Sequence, residues 1–509
     1  MGRARGAESQ LIATTLDNAV LNTALPSLAR SLHATTSDLQ WITNAYTLVF
    51  ASALILAGGM GARLGSRAAL LGGLVVFGGG SATAALSDSP AQLIAWRAVM
   101  GLGAAFIMPA TLAIITRIFT PAERPKAYAV WSAAAGIGVV VGPVTGGLLL
   151  EHYSWSSAFW INVPLVVVAL VAVLIVVPSV PTARERRLDV LGAVLVTAAV
   201  ALLVDFIIQA PVRGWSDSFG FAELGLALVL STLFPIWQLK TTSPLVRLDL
   251  FANRTFLVAA LSLSVVFFVM FGMLFELTQY LQLVKGFSPL KAGLGGVPFA
   301  VGMAITAGTS ALIGKRVAVR WIIVVGLVLC GLGLLVTAAT KVSTPFWHIL
   351  VANGVIGLGM GMMMAPASLQ INNSVPAEFI SMASALNSVI RELGGVLGIA
   401  VVGTVTSTAY KATSGLPLDG ADLATVHVAA GNLPPKVARQ AIEVAHKAFT
   451  SAMDRILVGV CVAFVAALLA AIIRPAANPA HTPKDSSVDS LGDPPVEVPA
   501  EVALGTQPA

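Results

Sequence analysis

Apolar stretches follow one another along the whole chain, broken by short polar turns, and about fourteen can be counted. They begin near Leu11, Leu39, Ala68, Gln92, Ala127, Ala158, Val190, Phe221, Phe256, Leu290, Trp321, Phe346, Met382 and Phe449. Each is long enough to cross about 30 Å of hydrocarbon as a helix, so the pattern predicts an all-α polytopic membrane protein. The first stretch is read as a retained helix and not as a removable leader, because it carries Asp17, Asn18 and Asn22 and is followed at once by others. Composition excludes a water-soluble fold: 57% of residues are hydrophobic, 11% are charged and mean hydropathy is +0.87.

Charge then orients the chain. Alternate connections carry Arg63 and Arg67; Arg117, Arg124 and Lys126; Arg184, Arg186 and Arg187; Lys240, Arg247 and Arg254; and Lys315, Arg316 and Arg320. Cytoplasmic loops hold the excess of Lys and Arg, so these connections, and with an even helix count both termini, are expected on the cytoplasmic side of the cell membrane. The long connection 411–447 is expected outside. The net charge of +6 follows from this topology and gives no reason to invoke nucleic acid. Residues 476–509 are Pro-rich and acidic, with Asp485, Asp489, Asp493, Glu497 and Glu501, and are expected to form a disordered cytoplasmic tail.

An internal repeat divides the membrane part. Gly101-Leu-Gly-Ala-Ala-Phe-Ile-Met-Pro-Ala-Thr-Leu returns approximately as Gly357-Leu-Gly-Met-Gly-Met-Met-Met-Ala-Pro-Ala-Ser-Leu. Each copy is followed at nearly the same distance by Pro-Ala-Glu, at Pro121 and Pro376. Two landmarks in one order imply parallel repeats about an axis along the membrane normal, a design that lets two halves rock around a central site. The expected division is a six-helix bundle over 1–178, two inserted helices over 179–254 and a second six-helix bundle over 255–475.

Between Ala135 and Gly147 the chain is apolar and unusually rich in glycine, with Gly138, Gly142 and Gly146 at i, i+4, i+8 spacing and Pro143 and Gly147 beside them. Such a run suits a flat seam where another helix packs closely, with a weakened backbone bond at the proline. The pattern GxxxGPxxGG resembles the fifth-helix signature of exporters of the major facilitator superfamily. Leu16-Asp-Asn-Ala-Val-Leu-Asn-Thr-Ala-Leu-Pro26, Trp155-Ser-Ser-Ala-Phe-Trp-Ile-Asn-Val-Pro164, Tyr280-Leu-Gln-Leu-Val-Lys-Gly-Phe-Ser-Pro289 and Arg391-Glu-Leu-Gly-Gly-Val-Leu-Gly398 are similar to phrases of its fourteen-helix drug:proton antiporter branch. The resemblance implies two six-helix bundles plus two inserted helices and efflux of lipophilic drugs or antibiotics in exchange for protons. The same architecture suits export or flipping of an endogenous lipid or secondary metabolite; a membrane sensor or scaffold that binds without transporting is a further reading.

Candidate chemistry is sparse. Asp17 is a carboxylate inside a membrane segment, a place where ionisable groups are functional by default, and is the leading residue for proton coupling or cation binding. Arg97, in Ile94-Ala-Trp-Arg-Ala-Val-Met-Gly101, resembles the fourth-helix arginine thought to assist proton transfer; a guanidinium stays protonated, so it would act on a neighbouring carboxylate or hold a polar network. Snorkelling to the outer interface is the alternative for Arg97, and the repeat places Asn353 at the matching point. Glu276, followed one turn on by Gln279 and Tyr280, is either a second carboxylate for a cationic substrate or a hydrogen-bonded residue near the outer mouth. Asp205 is read as interfacial.

Gly58-Gly-Met-Gly-Ala-Arg-Leu-Gly-Ser-Arg67 resembles the superfamily's loop of tight-turn glycines and inter-bundle charges, with Gly58, Arg63, Gly65 and Arg67 as gating residues. Ala62 stands where the pattern has an acidic residue. Only Leu11 to Leu16 lead apolarly into Asp17, which leaves two readings open, a short first helix or a translation start that lies upstream. Met360, Met362, Met363, Met364, Phe268 and Phe271 are an adaptable apolar set that would suit a lipophilic substrate, but methionines and aromatics at helical spacing are more often packing than pocket, and no binding residue is assigned from them. Cys330 and Cys461 read as packing residues. With no P-loop, no HExxH and no dense His/Cys set, no enzyme activity, ATP use, cofactor or metal is expected.

Overall fold

The computed structural model describes residues 2–120, 123, 138, 141–177, 188–314, 316–375, 380–414, 423–430 and 434–472. They form helices joined by short turns. The first bundle comprises α1 (Gly2–Leu32), α2 (Thr36–Leu64), α3 (Ser66–Ala84), α4 (Pro90–Ile118), α5 (141–152), and α6 (Ser157–Trp160) running into α7 (Asn162–Val176). A hairpin of α8 (Val190–Arg213) and α9 (Ser218–Lys240) follows. The second bundle holds α10 (Arg254–Gln279) with a π-helical turn (Tyr280–Val284), α11 (Pro289–Leu294), α12 (Val297–Ile313), α13 (Val319–Ala338), α14 (Phe346–Asn373), α15 (Ile380–Ser414), α16 (Leu423–Ala430) and α17 (Pro435–Ile472). Among the described residues, eleven helices are long and apolar enough to cross a membrane, which makes this a multi-pass membrane protein.

Turn chemistry sets the helix starts. Thr35 and Asp38 form a reciprocal capping box at α2, Ser89 caps α4 with Pro90 in its first turn, and Asn253 caps α10. Asp189 opens α8 by accepting bonds from the Gly192 and Leu245 amides, Trp237 Nε1 and Gln238 Nε2, tying the start of the hairpin to its end. Burial alone would raise its pKa, but these four donors outweigh burial and hold the carboxyl below the ordinary range.

The sequence repeat is a repeat of contacts. A Cβ on Gly101 would strike the Tyr46 carbonyl on α2, and one on Gly357 the Phe299 carbonyl on α12. A Cβ on Gly103 would lie 2.8 Å from the Gly73 carbonyl and 2.5 Å from Phe77 N on α3; on Gly359 it would lie 2.5 Å from the Gly326 carbonyl and 2.7 Å from Cys330 N on α13. The three partners in one half thus map onto those in the other at one constant offset. Glycine is required at these points because backbone meets backbone.

The bundles join at the end opposite the basic loops. Gln40 Nε2 on α2 donates to the Ile399 and Ala400 carbonyls on α15 (2.9 and 3.0 Å), and Gln282 Nε2 on the π-turn donates to the Thr23 carbonyl on α1 (2.8 Å). Nearby, Gly293 comes against the Pro143 carbonyl, and a Cβ on Gly147 would lie 2.5 Å from Leu290 Cα. The α8–α9 hairpin lies on this seam: Val204 and Ile208 pack with Leu48 of α2 and Val396 and Ala400 of α15. Trp41 Nε1 donates to Asp205, which also lies 3.7 Å from Arg213, so Asp205 is a link between the hairpin and α2.

Several expectations need correction. Gly58 lies within α2 and faces Pro109 of α4; the chain turns at Gly65 alone, whose φ of +88° is accessible without strain only to glycine. The first helix is long, and Asp17 sits near its middle. The connection 411–447 is largely helical, taken up by the end of α15, by α16 and by the start of α17. Met360 and Met363 are packed in the core, where Met363 fills the space beside Gly326; Met362 and Met364 are half-buried. Cys330 is buried and free. The expected tail 476–509 and the Cys461 side chain lie outside the described residues.

Candidate functional site: a buried charge cluster

Asp17 and Arg97 meet in the centre of the first bundle. Arg97 Nη1 lies 2.5 Å from Asp17 Oδ2, with 0% and 1% of the two side chains exposed, so neither snorkels to water. Isolated charges are not stable at such depth, and each has further partners. Arg97 Nη2 donates to Asn18 Oδ1 (3.2 Å) and Nε to the Ile42 carbonyl of α2 (3.1 Å). The guanidinium carbon lies 4.3 Å from the centre of the Tyr46 ring, which stacks on Phe50. Asn162 Nδ2 on α7 donates to Asp17 Oδ1 (2.7 Å) and to Ser81 Oγ on α3 (3.1 Å). Five helices therefore converge on one ion pair.

The second bundle copies the scaffold without the charge. Asn353 Nδ2 donates to the Gly295 carbonyl (2.7 Å), four residues before Phe299, as Arg97 donates to Ile42, four residues before Tyr46. Small-residue contacts place α15 on α10 as α5 lies on α1: a Cβ on Gly394 or Gly398 would meet the Ser264 or Phe268 carbonyl, while one on Gly142 would lie 3.6 Å from the Leu16 carbonyl and one on Gly146 3.0 Å from Val20 Cα. Counting along those contacts, the place of Asp17 falls on Val265.

Glu276 stands apart from this cluster. It is buried on α10 with the Thr406 hydroxyl of α15 beside it, and its Oε2 has no hydrogen-bond partner among the described residues. A buried carboxyl oxygen without a partner carries a desolvation penalty of about 1–3 kcal/mol, which a proton or a cationic group would relieve. Sequence reasoning passed over Glu392, on α15 of the second bundle, which acts electrostatically on the Tyr46 hydroxyl of the first. It also passed over Asn162, Ser81 and Tyr46, whose one available signal was a polar group inside an apolar run. One turn on from Glu276, Gln279 Nε2 donates to the Phe275 carbonyl and the Tyr280 hydroxyl to the Lys341 carbonyl.

The expected gating residues fall into two groups. Gly142, Pro143, Gly146 and Gly147 lie where α5 meets α1 and α11, and Gly138 is buried. Arg67 Nη2 donates to the Leu174 carbonyl at the end of α7, within its own bundle (2.8 Å). Arg63 is exposed, and the Ala62 side chain lies outside the described residues. Among the described residues, no cluster of three or more metal-ligating side chains is present.

Residues 10–399 match the Major Facilitator Superfamily. The chain is 32% identical over 475 residues to the tetracenomycin C resistance and export protein of Streptomyces glaucescens, covering 89% of this chain and 87% of that protein. It is 32% identical over 452 residues to the methyl viologen resistance protein SmvA of Salmonella typhimurium, covering 86% and 90%. A bacterial homologue of the human lysosomal transporter Spinster, in an inward-facing, unoccupied conformation, shares the fold at TM-score 0.64 and 15% identity, with 92% and 96% covered.

Proposed function

Since the chain belongs to the Major Facilitator Superfamily, we propose that it exports lipophilic drugs or antibiotics across the cytoplasmic membrane in exchange for protons. The observation that carries this reading is the Asp17–Arg97 pair, buried where five helices converge. Protonating Asp17 removes the charge that holds Arg97 and frees its bonds to rearrange, so proton binding and helix packing become one event. The names of the two relatives, one tied to an antibiotic and one to a dication, support small-molecule export.

In this reading α1, α5 and α17 complete fourteen spans, both termini and the basic loops face the cytoplasm, and the joints at Gln40 and Gln282 close the outer end. The cavity then opens inward to load substrate. Glu276 and Glu392 are the carboxylates of the second bundle available to a cationic substrate. No step requires ATP.

The test is dye retention in cells. Cells carrying the chain should hold less of a lipophilic cationic dye than empty-vector cells, and a protonophore or Asp17→Asn should erase the difference. Equal retention by wild type and Asp17→Asn would overturn the coupling role.

A further inference from the structure

At the end where the bundles join, His427 of α16 and His446 of α17 face each other with their Nε2 atoms 3.2 Å apart. The ring centres are 5.2 Å apart and the planes 20° apart. A centre separation that much larger than the nitrogen separation means the rings meet nitrogen to nitrogen, in the geometry of an N–H···N bond. His427 Nδ1 lies 2.8 Å from the Leu423 carbonyl, an acceptor that fixes its proton on Nδ1 and leaves Nε2 with a lone pair. His446 therefore supplies the N–H. The bond survives only while at least one Nε2 lacks a proton; with both rings charged, two N–H groups oppose each other at 3.2 Å.

The pair sits on the outer joint. Helix α16 packs on α1, on the π-turn and on α17, and the Leu283 carbonyl of the π-turn acts on His446. The residue before it, Gln282, holds the Thr23 carbonyl of α1. We propose that His427 and His446 form a proton-binding site distinct from Asp17, and that full protonation of the pair releases α16 from α1 and the π-turn.

Other ionisable groups on the surrounding elements are accounted for. Lys285 after the π-turn donates to the Val342 carbonyl, and Tyr280 within it to Lys341. Lys411 on α15, next to the buried Tyr410, donates to the Pro211 carbonyl, and Glu443 and Lys447 pair with each other on the exposed side of α17. Lys436 and Arg439 lie two turns or more before His446 on α17, Glu276 lies two turns down α10 from Leu283, and Arg30 and His33 close the end of α1. Burial first, then the repulsion that a charge on His427 would exert, pushes the His446 imidazole down to about 4, while the Leu283 carbonyl acts the other way. A histidine depressed by packing favours the packed state above its ordinary value of about 6.5 and loses that contribution as pH falls through the lowered one. Release of α16 thus belongs between about pH 6.5 and about pH 4.

The experiment is amide hydrogen exchange of the full chain in lipid nanodiscs at pH 7.5 and 5.0, corrected for the intrinsic pH dependence. Exchange across 423–430 should rise about tenfold or more on acidification. The double variant His427→Gln with His446→Gln keeps an amide pair that takes no proton, and should stay protected at both pH values. No rise in the wild type, or the same rise in the variant, overturns the proposal. Histidine NMR titration of the wild type serves if the variant does not fold: separated titrations with one below the ordinary range support the site, and two independent titrations near 6.5 overturn it. The proposal goes beyond drug export, and because neither readout is transport, its failure is distinguishable from failure of that reading.

Discussion

At Asp17 and Arg97 one hydrogen-bonded pair sets both stability and proposed chemistry. Removing one member strands the other, a loss of about 3–5 kcal/mol for a buried pair, whereas removing both together does not. Arg97→Gln should therefore lower the thermal unfolding midpoint in detergent more than Asp17→Asn combined with Arg97→Gln; additive losses would show that the two do not act as a unit. Asn162→Ala removes the second donor to Asp17 and should weaken dye export while leaving folding within about 1–2 kcal/mol of wild type, read from resistance alongside thermal unfolding. Asp17 was legible in the sequence because a lone carboxylate in an apolar helix has few inert explanations. Its partner was ambiguous, since Arg97 near a helix start reads equally as snorkelling; depth became visible only once Ile42 and Tyr46 surrounded it.

Among the elements, glycines divide by what lies over them. Gly101→Ala places a methyl against the Tyr46 carbonyl and should destabilise by about 1–3 kcal/mol, while Gly79→Ala, with nothing within 4 Å, should be neutral or stabilise α3 by up to about 1 kcal/mol. Thermal midpoints of the two variants decide it, and equal shifts would contradict the close packing of α4 on α2. The Asp189 knot predicts a pH effect. Its carboxyl is held below the ordinary range, so its contribution is present above about pH 4 and is lost as pH falls further. Asp189→Ala should lose an N-cap worth about 0.5–2 kcal/mol, loosen the α8–α9 hairpin and flatten the acid limb of the stability curve; an unchanged acid limb would contradict this. The repeat was legible because paired glycines are a local signal, whereas the caps at Thr35, Ser89 and Asn253 became visible only in the structure. The turn glycines were misplaced because Gly58, Gly61 and Gly65 look alike in sequence, and only Gly65 adopts a positive φ.

For the whole molecule, asymmetry within a repeated scaffold sets the driving force open to the proposed exchange. The two halves share their contacts at Gly101 and Gly357, yet the charge at Asp17 has Val265 in its matching place, so this ion pair has no copy at the matching place in the second half. Exchange of one proton for one monovalent cation is electroneutral and draws on the pH difference alone, about 1.4 kcal/mol or tenfold accumulation per pH unit. A second proton, at Glu276 or Glu392, would add the membrane potential, about 2.3 kcal/mol per charge per 100 mV. The repeat of contacts was readable from Gly101 and Gly357, but the joints at Gln40 and Gln282 were not, because an uncharged amide reaching a distant carbonyl leaves no periodicity in the sequence. The most direct measurement is proton release from acidified everted vesicles on adding a lipophilic cation, with wild type beside Asp17→Asn. Compound-triggered release that requires Asp17 is the predicted result; release that persists in Asp17→Asn, or compound accumulation with no proton movement, would contradict antiport through the buried pair.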